Sequence, residues 1–278
     1  MFSHSKAKAQ GLGFFKAKIG NLEVTAISDA TGEMPSSLLS GIEPDKVKEV
    51  ETSIGATGLK FPSFVNVFVV SLPEGLVLVD TGNGPSSNLV KNIMAAGIDL
   101  ADIKAILLTH FHSDHIGGLV GIDGKPAFPN VTVYADKIED NYWLGSSTRG
   151  EQAKRGVNPY KGNGQYKIVS PGDEVLPGVK VVELYGHTPG HVGYLFEAGD
   201  EDFLAWGDIV HIGYVQFKYP EAAMQYDVDK GKAVETRKKI LQQSSDNGYA
   251  VAGAHLPFPG IGRVSKGSGP GYDYKPVQ

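Results

Sequence analysis

Cysteine is absent from the 278 residues of this chain. That excludes disulfides, thiolate metal sites and a cysteine nucleophile, and it suits either redox compartment. Basic stretches are scarce as well. The formal net charge is −5, the wrong sign for a protein that binds by displacing counterions from nucleic acid. The longest basic run, "RKK" at 237–239, falls in a predicted helix and reads as a solvated face. No apolar run reaches the ~18–20 residues of a membrane span. The opening residues, MFSHSKAKAQGLGFF, lack the apolar centre of a signal peptide, although Ala7-Lys8-Ala9 has the small-x-small look of a cleavage remnant. The expected location is therefore cytoplasmic as the chain is written, or periplasmic or secreted if an export signal has been removed. There is no G-x-S-x-G nucleophile elbow, and no tandem repeat or low-complexity tract.

What the sequence does have is glycine, 36 residues of it, and apolar runs with strand character. FFKAKIG and LEVTAISDA predict a strand pair around Gly20-Asn21. FVNVFVVSL and GLVLVDTG predict a second pair around Pro73–Gly75. EPDKVKEVE reads as a short helix, and PSSNLVKNIMAAG as a helix with a serine cap and a terminal Gly97. IKAILLTH and VTVYAD are strands, and DKIEDNYWLG is a helix opened by Asp136. Residues 145–165, polar and Gly-rich, read as a long loop. Strands follow at VKVVELYG, HVGYLFEAG and DFLAWGD, then a helix over about 228–243 and a last strand in GYAVAGAH. Strands in two groups, mixed with helices, predict two sheets with helices outside in one α/β domain.

Chemistry concentrates where apolar strands end. Residues 109–118 read THFHSDHIGG and place His110, His112, Asp114 and His115 directly after IKAILL. Imidazole nitrogens and carboxylates are the ligand set of Zn²⁺ and similar divalent ions. Two His separated by one residue on extended backbone point to the same side and can grip one ion; Asp114 and His115 can reach another. A His-rich surface loop would look much the same. GHTPGH then puts His187 after another strand, WGD puts Asp208 after a third, and AGAH puts His255 after a fourth. Each alone is an ordinary turn or core residue. Together they make five His and two Asp, enough for two ions with a shared carboxylate.

This series, H-x-H-x-D-H, G-H-T-P-G-H, G-D and a late His, resembles the metallo-β-lactamase-fold hydrolases, and LVDTG at 78–82 resembles their earlier strand-end motif. The resemblance covers about residues 22–262. It implies a single domain over 1–278 with short terminal extensions, built as an αβ/βα sandwich of two mixed sheets flanked by helices. It also implies two metal ions at one edge of the sheets. His110, His112 and His187 would bind the first; Asp114, His115 and His255 the second; Asp208 would bridge. Zn²⁺ suits this set, and Mn²⁺, Fe²⁺ and Co²⁺ fit similar sites. Asp80 and His191 would support the ligands from behind, Asp80 serving equally as a turn former before Gly82. Such a site holds a water between the ions as nucleophile, with Asp208 and Asp114 the catalytic carboxylates and Asp114 able to pass a proton to the leaving oxygen.

Within that superfamily, Asp208 and the lack of Cys argue against antibiotic hydrolysis, and His112 stands where di-iron oxygen reductases carry Glu. Only ~20 residues follow His255, too few for the glutathione-binding helical domain of glyoxalase II. FFKAKIGNLEVTAISDATGEMP, WGDIVHIGYVQFKYPEAAMQYDVDKGKAVETRKK and AHLPFPGIGRV resemble the methyl parathion hydrolase group; residues 145–165 do not. That likeness implies hydrolysis of neutral organophosphate triesters and aryl esters, with lactones, acyl-homoserine lactones included, as the alternative. It implies an aromatic pocket in which Trp143 matches a wall position, though Trp143 fits a helix core equally well. Phe64, His211 and Phe258 are further pocket candidates, with Phe111 beside them. No nucleic-acid or membrane partner is expected, and a homodimer is common among relatives. A non-catalytic metal-binding protein would normally have lost ligand positions, and all seven are present.

Overall fold

The computed structural model describes residues 13–56, 58–145, 150–267 and 269–277. In chain order it begins with β1 (Phe14–Ile19), β2 (Leu22–Pro35), β3 (Leu39–Ser40), α1 (Pro44–Ser53), β4 (Lys60–Leu72), β5 (Gly75–Val79), α2 (Leu89–Ala95) and β6 (Ile103–Leu107). Next come α3 (Ser113–Ile116), β7 (Thr132–Asp136), α4 (Lys137–Leu144), α5 (Glu151–Gly162), β8 (Tyr166–Val169), β9 (Glu174–Leu176), β10 (Val179–Glu183), β11 (Val192–Phe196) and β12 (Phe203–Ala205). The remainder is α6 (Gly213–Gln216), β13 (Ala223–Met224), α7 (Lys230–Asn247), β14 (Ala250–Ala252), β15 (Ile261–Lys266) and β16 (Tyr272–Pro276). Among the described residues no helix is long and apolar enough to cross a membrane.

Period-two alternation sorts the side chains into layers. In β5, Val77 and Val79 face one way and Leu78 the other; in β12, Phe203 and Ala205 oppose Leu204. Val77, Val79, Phe68 and Leu107 of one seven-stranded sheet (order β1-β2-β4-β5-β6-β7-β8) pack on Val181, Tyr194, Phe203 and Ala252 of the other (β16-β15-β14-β12-β11-β10-β9). The outer face of the first sheet is covered by α2 and α5 through Leu89, Ile93, Val157 and Tyr160. The outer face of the second is covered by α7 through Ile240 and Leu241, with Trp206 and Phe217. The result is the helix–sheet–sheet–helix sandwich with two mixed sheets that the sequence implies.

Strand direction decides where the chemistry gathers. β5 and β6 run parallel, so Asp80 and the 109–115 segment leave the same edge of the first sheet. β12 and β14 run parallel, and β10 is antiparallel to β11, which is antiparallel to β12. His187, Asp208 and His255 therefore leave one common edge of the second sheet.

Several elements differ from expectation. The region 145–165 contains α5, which buries Ala153, Gly156, Val157 and Tyr160 on one face; residues 146–149 lie outside the described set. Gly156, Pro159 and Gly162 hide the helix because each lowers helix propensity. Its first-sheet packing, with the Tyr160 hydroxyl donating to the Leu119 carbonyl at 2.6 Å, overrides them. Helix α2 starts at Leu89, not at the serine pair. A register shift between Ser28 and Ala30 breaks the β2–β4 pairing at Asp29, and the Asp29 carboxylate accepts from Leu89 N at 3.0 Å and from Asn83 N at 2.9 Å. The shorter cap contact is long-range and leaves no local sign, and the expected serine contributes only a 3.5 Å contact from Ser87 Oγ to the same Leu89 N. Helix α7 runs on to Asn247 before Gly248 closes it at φ 68°.

The RKK run is not one solvated face. Lys238 and Lys239 are exposed, but Arg237 is 1% exposed. Its guanidinium donates to the carbonyls of Ile209 (2.6 Å), Ala222 (2.8 Å) and Pro220 (3.2 Å), with Asp227 Oδ2 3.9 Å away. Burial pushes its pKa down to about 10, Asp227 opposing, so it stays charged at neutral pH. Removing it strands the buried carbonyls of Ile209 and Pro220, leaves that of Ala222 to Gln216 alone, and takes the guanidinium away from Asp227. Arg237→Leu should lower the urea-unfolding free energy by about 3–5 kcal/mol, while Lys238→Ala and Lys239→Ala should stay within about 0.5 kcal/mol. Equal effects at all three positions would return the run to a solvated face.

Candidate metal centre

The site is best built outward from the strand ends. After β5 the chain enters Asp80 at φ 61°, a left-handed conformation that costs energy for a residue with a Cβ. The twist turns the carboxylate back across the neighbouring strand. Its Oδ1 accepts from Thr109 N (2.8 Å); its Oδ2 accepts from Thr109 Oγ1 (2.8 Å) and lies 2.8 Å from His115 Nδ1. Asp80 therefore joins the end of β6 to an imidazole six residues further on. Gly117 and Gly118 allow the tight passage, since a Cβ on either would lie within 2.3 Å of the backbone after β5.

Three more imidazoles are pinned in the same way, by the nitrogen that faces away from the centre. His187 Nδ1 lies 2.7 Å from Asp227 Oδ1, and His255 Nδ1 lies 2.7 Å from the Phe64 carbonyl. His110 Nδ1 lies 3.1 Å from Thr109 Oγ1. Carboxylate or carbonyl acceptors on one nitrogen leave the other as the lone-pair donor. His191 is different. Its Nδ1 donates to the Leu184 carbonyl (2.9 Å) and its Nε2 accepts from Asp208 N (3.1 Å). Both nitrogens are committed to backbone, and the ring holds the Asp208 main chain in place. Burial first, then His187, holds its pKa at about 3, so it stays neutral.

The inward atoms converge. His110 Nε2 and His187 Nε2 lie 3.0 and 2.9 Å from His112 Nδ1. With Asp208, their donor atoms all fall within 4.8 Å of one another; Asp114, His115 and His255 form a second such group. Asp208 spans both: its Oδ2 is 3.3 Å from His187 Nε2 and 3.1 Å from His255 Nε2, and its Oδ1 is 3.1 Å from His115 Nε2. Buried His115 Nε2 and Asp208 Oδ1 nonetheless make no hydrogen bond. Three imidazole nitrogens at mutual contact, and orphaned buried polar atoms beside a carboxylate, make a poor hydrogen-bond network. They make a good donor set for a divalent cation.

Charge tells the same story. Burial alone would raise Asp208, yet His115, His255, His211 and His110 hold its carboxyl well below the usual range. Burial and then His115 hold His110 far below the usual imidazole value, and burial and then His187 hold His112 at about 3. These two offer lone pairs. His187 goes the other way: burial is outweighed by Asp208 and Asp227, and its pKa rises to about 9. His115 and His255 are also raised, burial being outweighed first by Asp208. In the chain alone, protons on these rings provide the positive charge that Asp208 needs.

Other sequence candidates fall as follows. His211 is fully buried; its Nε2 lies 3.0 Å from Asp208 Oδ2, its ring stacks on His255 at 5.0 Å, and its Nδ1 is unpartnered. It belongs to the carboxylate cluster more than to any wall. Trp143 packs against the α5-side core and meets the His112 ring near-perpendicular at 5.6 Å. Phe64 is half-buried beside His255, whereas Phe258 packs with the inter-sheet core and Phe111 with the outer core. Asp227, Glu139 and Tyr226 escape sequence reasoning. Asp227 orients His187, and Tyr226 stands 5.1 Å from the His211 ring. The only signal for Asp227 and Tyr226 is the stretch YDVD after the Asp208 strand, which contains no ligand spacing of its own, and Glu139 lies in a helix that shows none. Gln216, another residue without an obvious chemical task, accepts from His211 N and Ile212 N and donates to the Ala222 carbonyl, bracing the loop that follows Asp208.

A family model described as the Metallo-beta-lactamase superfamily matches residues 61–255. The chain is 27% identical over 235 residues to a probable metallo-hydrolase of Mycobacterium tuberculosis, covering 69% of this chain and 74% of that protein. Its fold is similar to the solved structure of AbOPH, a hydrolase in the beta lactamase superfamily. The two share 33% identity at a TM-score of 0.90, over 97% of this chain and 99% of the other. It is also similar to AidC, a dizinc quorum-quenching lactonase solved with a product, at 27% identity and a TM-score of 0.84, over 96% and 98% of the two chains.

The protonation pattern generates opposite pH trends. A ring whose pKa rises from 6.5 in the unfolded chain to about 9, as for His187, stabilises the fold fully below 6.5 and loses that contribution as pH climbs through 9. For His187 this amounts to on the order of 3 kcal/mol. Chelated protein should therefore lose stability between pH 6.5 and 9. Protein saturated with Zn²⁺ should gain over the lower part of that range, because the metal needs the deprotonated rings. Melting curves at several pH values, with and without chelator, would show the divergence. Parallel curves would mean that the imidazoles hold no ion.

Proposed function

This chain belongs to the metallo-beta-lactamase superfamily and is a metal-dependent hydrolase, and from that premise we propose a dinuclear enzyme, one domain over its whole length, that cleaves uncharged esters. The observation that carries this reading is Asp208, whose two oxygens face both donor groups at once. His110, His112 and His187 would hold one divalent ion, and Asp114, His115 and His255 a second. Zn²⁺ suits the N/O donor set best, with Mn²⁺, Fe²⁺ and Co²⁺ as other occupants. Bound there, two such ions supply Lewis acidity toward a P=O or C=O oxygen and lower the pKa of water enough to furnish a nucleophile near neutral pH.

The chain's own residues do the rest. Asp80 and Asp227 fix the ring orientations of His115 and His187. His191 holds the Asp208 backbone, so the bridging carboxylate cannot swing out. Asp114 is the acid open to the approach, its side chain 27% exposed while Asp208 is buried. It lies 3.5 Å from His255 Nε2 and is placed to pass a proton to a leaving oxygen. The described ion pairs of Asp80, Asp114 and Asp208 are all with imidazoles. Arg237, which faces Asp227 behind His187, is committed to backbone carbonyls and that carboxylate. The lack of a cationic clamp among the described residues favours neutral triesters over phosphodiesters or nucleotides.

Phosphotriesters and aryl esters are the first substrate class, supported by the aromatic rings beside the site, Trp143 against His112 and Tyr226 against His187 and His211. Lactones, acyl-homoserine lactones among them, are the second, supported by the likeness to a dizinc lactonase. The deciding measurement is kcat/KM on metal-replete protein for a dialkyl aryl phosphotriester, an aryl acetate and a long-chain acyl-homoserine lactone. The triester should lead; a dominant lactone would reassign the enzyme to the second class. Asp208→Ala should lower kcat/KM on the best substrate by on the order of 10³-fold, and undiminished activity would end the bridged-ion mechanism.

A further inference from the structure

Glu139 is the third residue of α4 and is 1% exposed. A glutamate there often reaches back to the N-cap backbone. Here Asp136 caps the helix alone, accepting from Ile138 N (2.7 Å) and Glu139 N (3.1 Å). The Glu139 carboxylate instead crosses to the loops of the metal centre. Oε1 accepts from Phe111 N (2.9 Å) and Trp143 Nε1 (2.6 Å); Oε2 accepts from Thr188 Oγ1 (2.7 Å) and Gly190 N (3.0 Å). Phe111 lies between His110 and His112, and Thr188 follows His187. The contact is close: a Cβ on Gly190 would meet Glu139 N at 2.1 Å and Asp136 Oδ1 at 2.5 Å.

Four donors around one side chain require an acceptor-only group. An amide in either orientation would turn its NH₂ against at least one backbone N–H. The donors do not come from across the molecule. They belong to both loops that carry His110, His112 and His187, and to the tryptophan whose ring meets that of His112. None comes from Asp114, His115 or His255. We propose that Glu139 is a positioning residue that sets the geometry and affinity of the His110–His112–His187 ion site, and of Trp143 beside it, while leaving the Asp114–His115–His255 site untouched. This rests on the dinuclear reading and adds an asymmetry to it: the Glu139 carboxylate braces the loops of one site and makes no bond to the ligands of the other.

The test uses Co²⁺, whose visible absorption reports binding directly, at a temperature below every variant's melting transition. In a His255→Ala background, which retains the His110–His112–His187 set, adding E139Q should weaken Co²⁺ binding about tenfold to a hundredfold. In a His110→Ala background, which retains the Asp114–His115–His255 set, adding E139Q should change it less than about threefold. Thr188→Val removes one donor and keeps the carboxylate. It should weaken the first set by a few-fold in the same direction, and it covers the case in which E139Q folds poorly. Equal weakening in both backgrounds would make Glu139 a general structural residue and overturn the proposal, as would no change in either. A wild-type protein that saturates at a single Co²⁺ would instead sink the dinuclear reading, and the effect of E139Q on that one ion would still decide the role of Glu139.

Discussion

One buried carboxylate governs this molecule. Asp208 is 2% exposed and ionised, and its oxygens lie within 3.3 Å of His115, His187, His211 and His255. A lone carboxylate so placed would be too costly to keep charged. It persists because imidazoles from separate loops surround it, those of His115, His187 and His255 protonated in the chain alone and exchangeable for cations. The parallel pairs β5–β6 and β12–β14, the glycine turns that let loops cross and the buried histidines all meet that requirement. Gly207 shows how little slack there is. It adopts φ 55°, and a Cβ there would meet His191 Nε2 at 2.6 Å and Thr109 Oγ1 at 2.8 Å.

Support around that carboxylate is layered and unequal. His115 and His187 each lean on a carboxylate, whereas His255 leans on a backbone carbonyl. A carboxylate partner raises ligand basicity more than a carbonyl does. Asp227 is itself held by Met224 N at 2.8 Å and faces Arg237, so His187 is tied through two buried charges to helix α7 on the far face of the second sheet. The histidine loops are thus anchored in the outer cores, not only at the sheet edge. Losing packing on α4 or α7 should be felt at the centre before the sandwich itself comes apart.

The strand-end chemistry is legible in the sequence because each relevant His or Asp directly follows an apolar run, and strand direction then brings them together. The sandwich is legible for the same reason: Val- and Phe-rich alternation needs no distant information. What stays hidden depends on partners far along the chain. Asp29 caps a helix sixty residues away across a broken register. Arg237 sits in a basic run whose neighbours are solvated. Asp227 and Glu139 are carboxylates in unremarked helix and loop contexts, and their role appears only when three loops meet. Helix α5 is masked by Gly156, Pro159 and Gly162, whose local preferences are overruled by packing against the first sheet.

In the proposed reading substrate choice lies with the side chains beside the metal loops, and those side chains are not independent of the loops. Tyr226 is adjacent to Asp227, the partner of His187, and its hydroxyl faces Met34 Sδ at 3.5 Å on the projecting end of β2. Met34 and Leu38 pack with the cluster formed by α1, β3 and β13, so this wall rests on the long β2–β4 extension. On the other side, Trp143 donates to the same Glu139 that braces the His110–His112 segment. Trp143 therefore shares a buried carboxylate with the segment that carries His110 and His112, while Tyr226 neighbours Asp227 along the chain. In the proposed reading, a substitution at Trp143 also loads Glu139, and one at Tyr226 disturbs the segment that carries Asp227. Changes in substrate preference should then arrive coupled to changes in metal affinity, unless they are made at Met34 or Leu38, where the wall is apolar and touches no ligand's support.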